Sequence, residues 1–147
     1  MSNLHNCFQL LLKKIGLDAT VQDLNKEIIS LEVGNFTYHF KEFPADNLVI
    51  YSLLEKMPEI SMEELLSILN ENHFSEQLMP PVFSYDQQNQ QFLLWNRQSM
   101  QGSTEESILE QLEAVISSNE TIQTVLNKDG TENQLLVSPK AFQGIRC

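Results

Sequence analysis

The chain has 147 residues, a length that fits one domain, and 41% of them are apolar, which excludes a chain that is disordered throughout. Its 20 acidic and 9 basic residues give a formal net charge of −11. A surface this negative repels phosphate backbones and anionic lipids, so we predict that the protein binds neither nucleic acid nor membranes. The first residues lack a secretory signal and no apolar run is long enough to span a bilayer, so we expect a cytoplasmic protein.

The first part of the chain is predicted to form one helix and three strands. Apolar side chains recur at spacings of three and four from Leu4 to Ile15, as on one face of a helix, and Gly16 supplies a stop. Three runs with strand character follow, and their short connections favour an antiparallel meander. The predicted strands are Glu27–Val33, Phe36–Lys41 and Leu48–Leu54.

Two further helices are predicted in the second part, with two strands between them. A Ser-x-x-Glu capping box at Ser61 begins a helix that extends to about His73. A second box, at residues 103–106, begins a third helix that extends toward Leu126. The two strands between these helices are Val82–Tyr85 and Gln91–Asn96.

The predicted element order is α-β-β-β-α-β-β-α. Strands grouped in runs, without strict alternation with helices, indicate an α+β fold with one antiparallel sheet packed by helices. We expect one domain over residues 1–127. The sequence beyond it, residues 128–147, is polar with short apolar stretches, and we expect a loosely attached C-terminal extension there.

The sequence contains no pattern that predicts chemistry. His5, His39 and His73 fall in different elements, and none has a second ligand at the spacing of a metal site. The five glycines are scattered, so no phosphate-binding loop can form. Cys7 has no visible base and is predicted to be a buried thiol. We therefore predict no catalytic residue, no metal, no cofactor and no enzymatic activity.

The predicted sheet has more apolar surface than three helices would cover. Ile28, Val49, Tyr51 and Leu93 point away from the neighbours that are assigned to the core. Apolar surface of this kind is used for homodimerisation or for binding a peptide segment.

Taken together, residues 4–118 resemble the class I chaperones of bacterial type III secretion, the CesT/Tir-chaperone-like family. The resemblance is one of element order, size and acidic charge. Its supporting segments are Phe8–Leu17 (FQLLLKKIGL), Glu27–Phe40 (EIISLEVGNFTYHF), Ser61–Phe74 (SMEELLSILNENHF) and Phe92–Met100 (FLLWNRQSM).

The resemblance implies a cytoplasmic bacterial homodimer without catalytic activity or nucleotide requirement. Such a chaperone binds an extended N-terminal segment of one or a few secreted effector proteins and keeps it competent for secretion. The resemblance also admits the secretion-system ATPase as a further partner. An alternative is a regulatory or adaptor protein of the same fold that sequesters a regulator of the secretion system. The sequence does not separate these two functions, because both use the same surfaces.

Two sets of site residues are predicted. The first helix and the first three strands are expected to present the effector-binding surface, and the second helix and later strands, by analogy with the family, the dimer interface. The predicted effector-binding residues are Leu4, Phe8, Leu12, Ile28, Val49 and Tyr51. The predicted dimer-interface residues are Leu65, Ile68, Leu69, Leu93 and Trp95.

Overall fold

The computed structural model describes residues 3–16, 27–54 and 60–127, and it confirms the predicted order of helices and strands. The predicted extension over residues 128–147 lies outside the described residues. The elements are α1 (Asn3–Lys14), β1 (Ile28–Val33), β2 (Phe36–Glu42), β3 (Asn47–Leu54), α2 (Met62–Leu69), β4 (Val82–Asp86), β5 (Gln91–Ser99) and α3 (Glu105–Asn127). A single turn of 3-10 helix over Asn70–Asn72 extends α2.

The strands form one antiparallel sheet in the order β1-β2-β3-β5-β4. The first three strands pair as the predicted meander. The chain then passes through α2, and the last hairpin joins the sheet through β5, which leaves β1 and β4 at the two edges. Strand β3 is therefore central, and β5 lies inside the sheet, paired with β3 over the full length of β3.

Helices α1 and α3 pack on one face of the sheet, and side chains alternate between this covered face and the opposite one. On the covered face, the ring of Phe8 from α1 meets the ring of Phe40 edge-on, with 5.1 Å between centroids. Tyr38, Phe40 and Ile50 are fully buried there, as the period-two pattern predicts. The core therefore lies between the sheet and the two helices.

The start of α3 differs from the prediction by one residue. The N-terminal cap is a reciprocal pair in which the Ser107 amide donates to the Thr104 hydroxyl and the Thr104 amide donates to the Ser107 hydroxyl. The predicted cap residue, Ser103, instead donates its hydroxyl to the Met100 carbonyl, 2.9 Å away. By contrast, the predicted capping box between Ser61 and Glu64 is present at α2.

A buried polar network joins α3 to the centre of the sheet. The side chain of Gln111 is fully buried, and its amide donates to the carbonyl of Leu48, 2.9 Å away. Its side-chain oxygen accepts from the Gln98 amide at 2.6 Å. Asn96 donates to the backbone carbonyl of Gln111 at 2.9 Å. This network fixes the position of α3 on β3 and β5.

We expect Gln111→Ala to destabilise the protein by about 2–4 kcal/mol, because it leaves buried polar groups without partners and opens a cavity. The matched control is Gln123→Ala on the same helix, where a half-buried amide makes one 3.3 Å hydrogen bond to Asn119. That control should cost about 1 kcal/mol or less. Urea unfolding measures both, and equal losses would show that the buried network does not anchor α3.

Glu120 on α3 makes the stability depend on pH. Partial burial raises the pKa of its carboxyl from 4.5 to about 7. Since folding raises this pKa, the protonated Glu120 side chain contributes to the free energy of unfolding in full below about pH 4.5. This contribution is lost as the pH rises through about 7.

We expect Glu120→Gln to stabilise the protein more at about pH 8 than at about pH 5.5, by less than about 1 kcal/mol because the group is partly exposed. The control is Glu113→Gln, which removes the same charge from an exposed position of the same helix. Thermal unfolding at both pH values is the measurement. A pH-independent effect of the Glu120 variant would contradict the assignment.

Candidate functional site

The face of the sheet opposite α1 and α3, here called the open face, is the first candidate binding surface. Among residues 3–16, 27–54 and 60–127, the helices that contact the sheet pack on the other face. The open face carries Ile28, Ser30, Glu32, His39, Lys41, Val49, Tyr51, Leu53, Val82, Ser84, Leu93, Trp95 and Arg97. Antiparallel register places these side chains in rows that cross the strands.

The central row of the open face crosses all five strands and consists of Ser30, His39, Tyr51, Trp95 and Val82. The rings of His39 and Tyr51 lie 4.9 Å apart, and a 2.8 Å hydrogen bond joins the His39 ring to the Ser30 hydroxyl. Partial burial raises the pKa of the Tyr51 hydroxyl. This row is a half-buried aromatic surface without a deep pocket.

Hydrogen bonding holds the central aromatic ring in place. The indole Nε1 of Trp95 donates to the hydroxyl of Ser84 on the neighbouring strand, at 2.8 Å. The next row contains Leu93 of β5 opposite Leu53 of β3, and Leu53 is more than a third exposed. A rigid indole beside exposed aliphatic side chains can contact an apolar segment with little loss of side-chain entropy.

The open face brings together residues that the sequence analysis assigned to two different sites. Ile28, Val49 and Tyr51 lie on it, as predicted for the effector-binding surface. Leu93 and Trp95, predicted for the dimer interface, lie on the same face, and Trp95 is directly opposite Tyr51. The geometry therefore gives one continuous surface where the sequence analysis proposed two.

The helical part of the predicted effector-binding set lies in the core. Leu4, Phe8 and Leu12 are buried between α1 and the rest of the covered face. An amphipathic helix has one apolar stripe, and α1 uses its stripe against its own sheet and α3. While α1 is docked, these three side chains cannot contact a guest, so only the sheet residues of the predicted set are available.

The two edges of the sheet differ in their backbone hydrogen bonding. At the β4 edge, the side chain of Asn72 accepts from the Phe83 amide at 2.8 Å and donates to the Phe83 carbonyl at 3.1 Å. This side chain takes the place of a neighbouring strand. Among the described residues, β1 has no such side-chain partner on its outer edge.

A second apolar surface lies on α2 and the loop that follows it. Its helical part is a stripe at positions i, i+4 and i+7: Met62 (68% exposed), Leu66 (58%) and Leu69 (42%). In the loop, Phe74 is 98% exposed and Leu78 is 89% exposed. We call these five residues the α2 surface. Apolar side chains so fully exposed indicate a protein–protein contact.

Burial divides the helical residues of the predicted dimer interface, which stays a prediction. Ile68 faces the core and is fully buried, and Leu65 is half-buried, so neither lies on the exposed stripe. Of the three predicted dimer-interface residues on this helix, Leu69 is the one that belongs to the α2 surface. The sequence analysis missed Met62 and Leu66, although apolar residues on both sides of so short a helix are the signal for a second contact.

The part of the chain that the structure describes contains no arrangement typical of an enzyme. No group of three or more His, Cys, Asp or Glu side chains in it could hold a metal ion. Burial raises the pKa of the Cys7 thiol, which lowers its reactivity, and the sulfur shares a long hydrogen bond with the Ser103 hydroxyl, at 3.7 Å. A shallow cleft of about 500 Å³ between α3 and residues 70–81 is lined mainly by Asn, Gln, Ser and Pro. No helix in the described ranges is long and apolar enough to cross a membrane.

Comparison with protein families gives a match over most of the chain. The model of the Tir chaperone protein (CesT) family matches residues 6–123. A similar protein of Yersinia pestis, described as the YopE regulator, is 27% identical over 127 residues, which cover 86% of this chain and 88% of that protein.

Solved structures with the same fold include chaperones in complex with other proteins. A chain in the ExoT–SpcS complex of Pseudomonas aeruginosa has a TM-score of 0.66 and 25% identity, and the match covers 81% of this chain and 96% of that one. A chain in the complex of the Yersinia pestis type III secretion chaperone SycH with a fragment of YscM2 has a TM-score of 0.63 and 14% identity. This match covers 82% of the present chain and 99% of that one.

Proposed function

The chain belongs to the Tir chaperone protein (CesT) family, and from this premise we propose that it is a cytoplasmic type III secretion chaperone. It binds an extended segment of a secreted effector protein, keeps that segment competent for secretion, and carries out no chemical turnover. Chaperone–effector complexes among the structures with the same fold support this function.

The observation that carries the proposal is the open face. A five-stranded sheet with helices on one face leaves a flat aromatic and aliphatic surface for a guest, with Tyr51 and Trp95 at its centre. We propose that Ile28, Val49 and Tyr51, together with Leu93 and Trp95, contact the effector segment. A flat surface binds an extended chain through many shallow contacts, whereas a small-molecule ligand needs a concave pocket.

The edge strand β1 supplies a second element of the same site. A guest strand paired with β1 would gain backbone hydrogen bonds that do not depend on its sequence. The apolar side chains of the guest would contact the open face. The opposite edge is less available, because Asn72 already satisfies the Phe83 amide and carbonyl.

We further propose that the protein is a homodimer whose two-fold interface is the α2 surface. Five exposed apolar side chains on one short helix and its loop would otherwise remain in water. An isologous contact of two such surfaces buries them reciprocally and keeps both open faces accessible. The remaining predicted partner, the secretion-system ATPase, stays a prediction.

A second candidate function is regulatory. The Yersinia proteins that this chain is similar to are named regulators of YopE, and a chaperone that holds a control protein of the secretion system would use the same open face. The two functions differ in the guest: a secreted effector in the first case and a retained control protein in the second.

Deleting the gene in the native bacterium separates the two functions. As a secretion chaperone, the protein is required for one or a few effectors to reach the secreted fraction, while the transcripts of those effectors stay constant. Restoring the wild-type gene is the control. A deletion that changes effector transcripts and leaves the secretion of pre-made effector intact would favour the regulatory function.

A further inference from the structure

The open face carries two cations that have no carboxylate partner among the described residues. Four of the nine Lys and Arg residues lie in the described ranges. Two of these, Lys13 and Lys14 of α1, form ion pairs with Glu105 and Glu106 of α3. The other two are Lys41 and Arg97, and no ion pair is formed by either within residues 3–16, 27–54 and 60–127.

Lys41 and Arg97 occupy one row of the sheet. Lys41 of β2 is opposite Val49 of β3, and Val49 is opposite Arg97 of β5. With about 4.8 Å between neighbouring strands, the two cations are roughly 10 Å apart at the backbone and lie on either side of one aliphatic side chain. Each also lies near an aromatic ring: Lys41 Nζ is 5.5 Å from the Phe43 ring, and Arg97 Cζ is 5.9 Å from the Trp95 ring.

The acidic groups of the open face lie at its other end. Glu32 is paired with Thr37 near the β1–β2 turn, four residues along the strand from Ile28, which is opposite Lys41. Asp86 is at the end of β4, where its carboxylate accepts hydrogen bonds from Asn89 and Gln88. The side chains of the open face itself are therefore positive at the Lys41–Arg97 end and negative at the other, on a protein whose net charge is −11. Glu42 and Asp46 lie at the β2–β3 turn beside the positive end, where a Glu42 carboxylate oxygen accepts a hydrogen bond from the Asp46 amide.

Resting on the proposed function, we infer that the guest segment carries an acidic side chain that binds between Lys41 and Arg97 and, two residues along the segment, an apolar side chain that contacts the adjacent row of Tyr51 and Trp95. Two cations without a carboxylate partner in the described part of the chain repel basic guests at this point and attract a carboxylate, so they set which segments bind and in which position along the face. The partner is thus an extended segment in which an Asp or Glu lies two positions from an apolar residue.

The test is a selection from a displayed library of random peptides of about 30 residues, long enough to cross the sheet several times. It uses the full chain in three forms: wild type, the double variant K41E/R97E, and the control K13E/K14E, which changes the net charge by the same amount on α1. We expect the wild type and the control to enrich peptides with an acidic residue two positions from an apolar one, and K41E/R97E to lose that preference or to enrich basic residues instead.

A direct measurement completes the test. An enriched peptide and its Glu→Gln or Asp→Asn derivative are compared by fluorescence polarisation. We expect the wild-type protein to bind the derivative about tenfold more weakly than the parent peptide. We expect the K41E/R97E variant to bind the derivative no more weakly than it binds the parent peptide. The variant K41Q/R97Q serves if the charge reversal lowers the unfolding midpoint. Enriched peptides without an acidic preference would overturn this inference and leave the proposed function intact. Failure of the wild type to enrich any peptide would contradict the proposed function itself.

Discussion

Tyr51→Glu is expected to weaken binding of the effector segment by on the order of a hundredfold and to leave the unfolding midpoint almost unchanged. The substituted side chain lies at the centre of the open face, opposite Trp95, so a carboxylate there is desolvated against an aromatic surface as the guest binds. Because Tyr51 is only half-buried in the free protein, the fold tolerates the change.

The measurement is isothermal titration with the N-terminal segment of an effector that co-purifies with the protein. The matched control is Ser117→Glu, which adds the same charge to an exposed position of α3, on the helical side of the molecule. It should bind like the wild type. Val49→Glu provides a second test on the same face. Wild-type affinity in both open-face variants, with folding intact, would place the guest elsewhere.

Leu66→Glu is expected to convert the proposed dimer to a monomer of 16.9 kDa, half the mass expected for the wild type. Leu66 is in the middle of the exposed stripe on α2, and a two-fold interface would bring two introduced carboxylates close together in an apolar contact. The expected loss of dimer affinity is larger than one side chain implies, because a two-fold interface contains the substitution twice.

Sedimentation equilibrium at micromolar concentration measures this change. The control is Ser67→Glu, one residue along the same helix, exposed but outside the apolar stripe. We expect that control to remain dimeric. A wild-type protein that sediments as a monomer would contradict the proposed interface, and so would a Leu66→Glu variant that stays dimeric.

The faces of the strands could be predicted from the sequence because a strand has a period of two and turn positions set its register. Once Tyr38 and Phe40 are assigned to the core, Lys41 follows on the opposite face, and short loops place Val49 and Tyr51 beside it. The position of β5 inside the sheet, beside β3, was not predicted, since this pairing joins residues far apart in the chain, from Leu54 with Phe92 to Asn47 with Ser99, and leaves no local signal.

The helices show where a sequence pattern stops being informative. The stripe of Leu4, Phe8 and Leu12 on α1 has the same spacing whether it contacts the protein's own sheet or a partner, and the structure places it in the core. On α2, apolar residues occur on both sides, so the pattern could not separate the buried Ile68 from the exposed Leu66. The surface function of a helix depends on which side the rest of the fold leaves uncovered.

The most direct test of the central claim uses stepwise truncation of a co-purifying effector. We predict that an isolated N-terminal segment of the effector binds as tightly as the whole effector, and that removing residues from either end of that segment lowers the affinity gradually over tens of residues, as in coupled folding and binding. Full affinity of the effector's folded domain alone, with the N-terminal segment dispensable, would contradict the account.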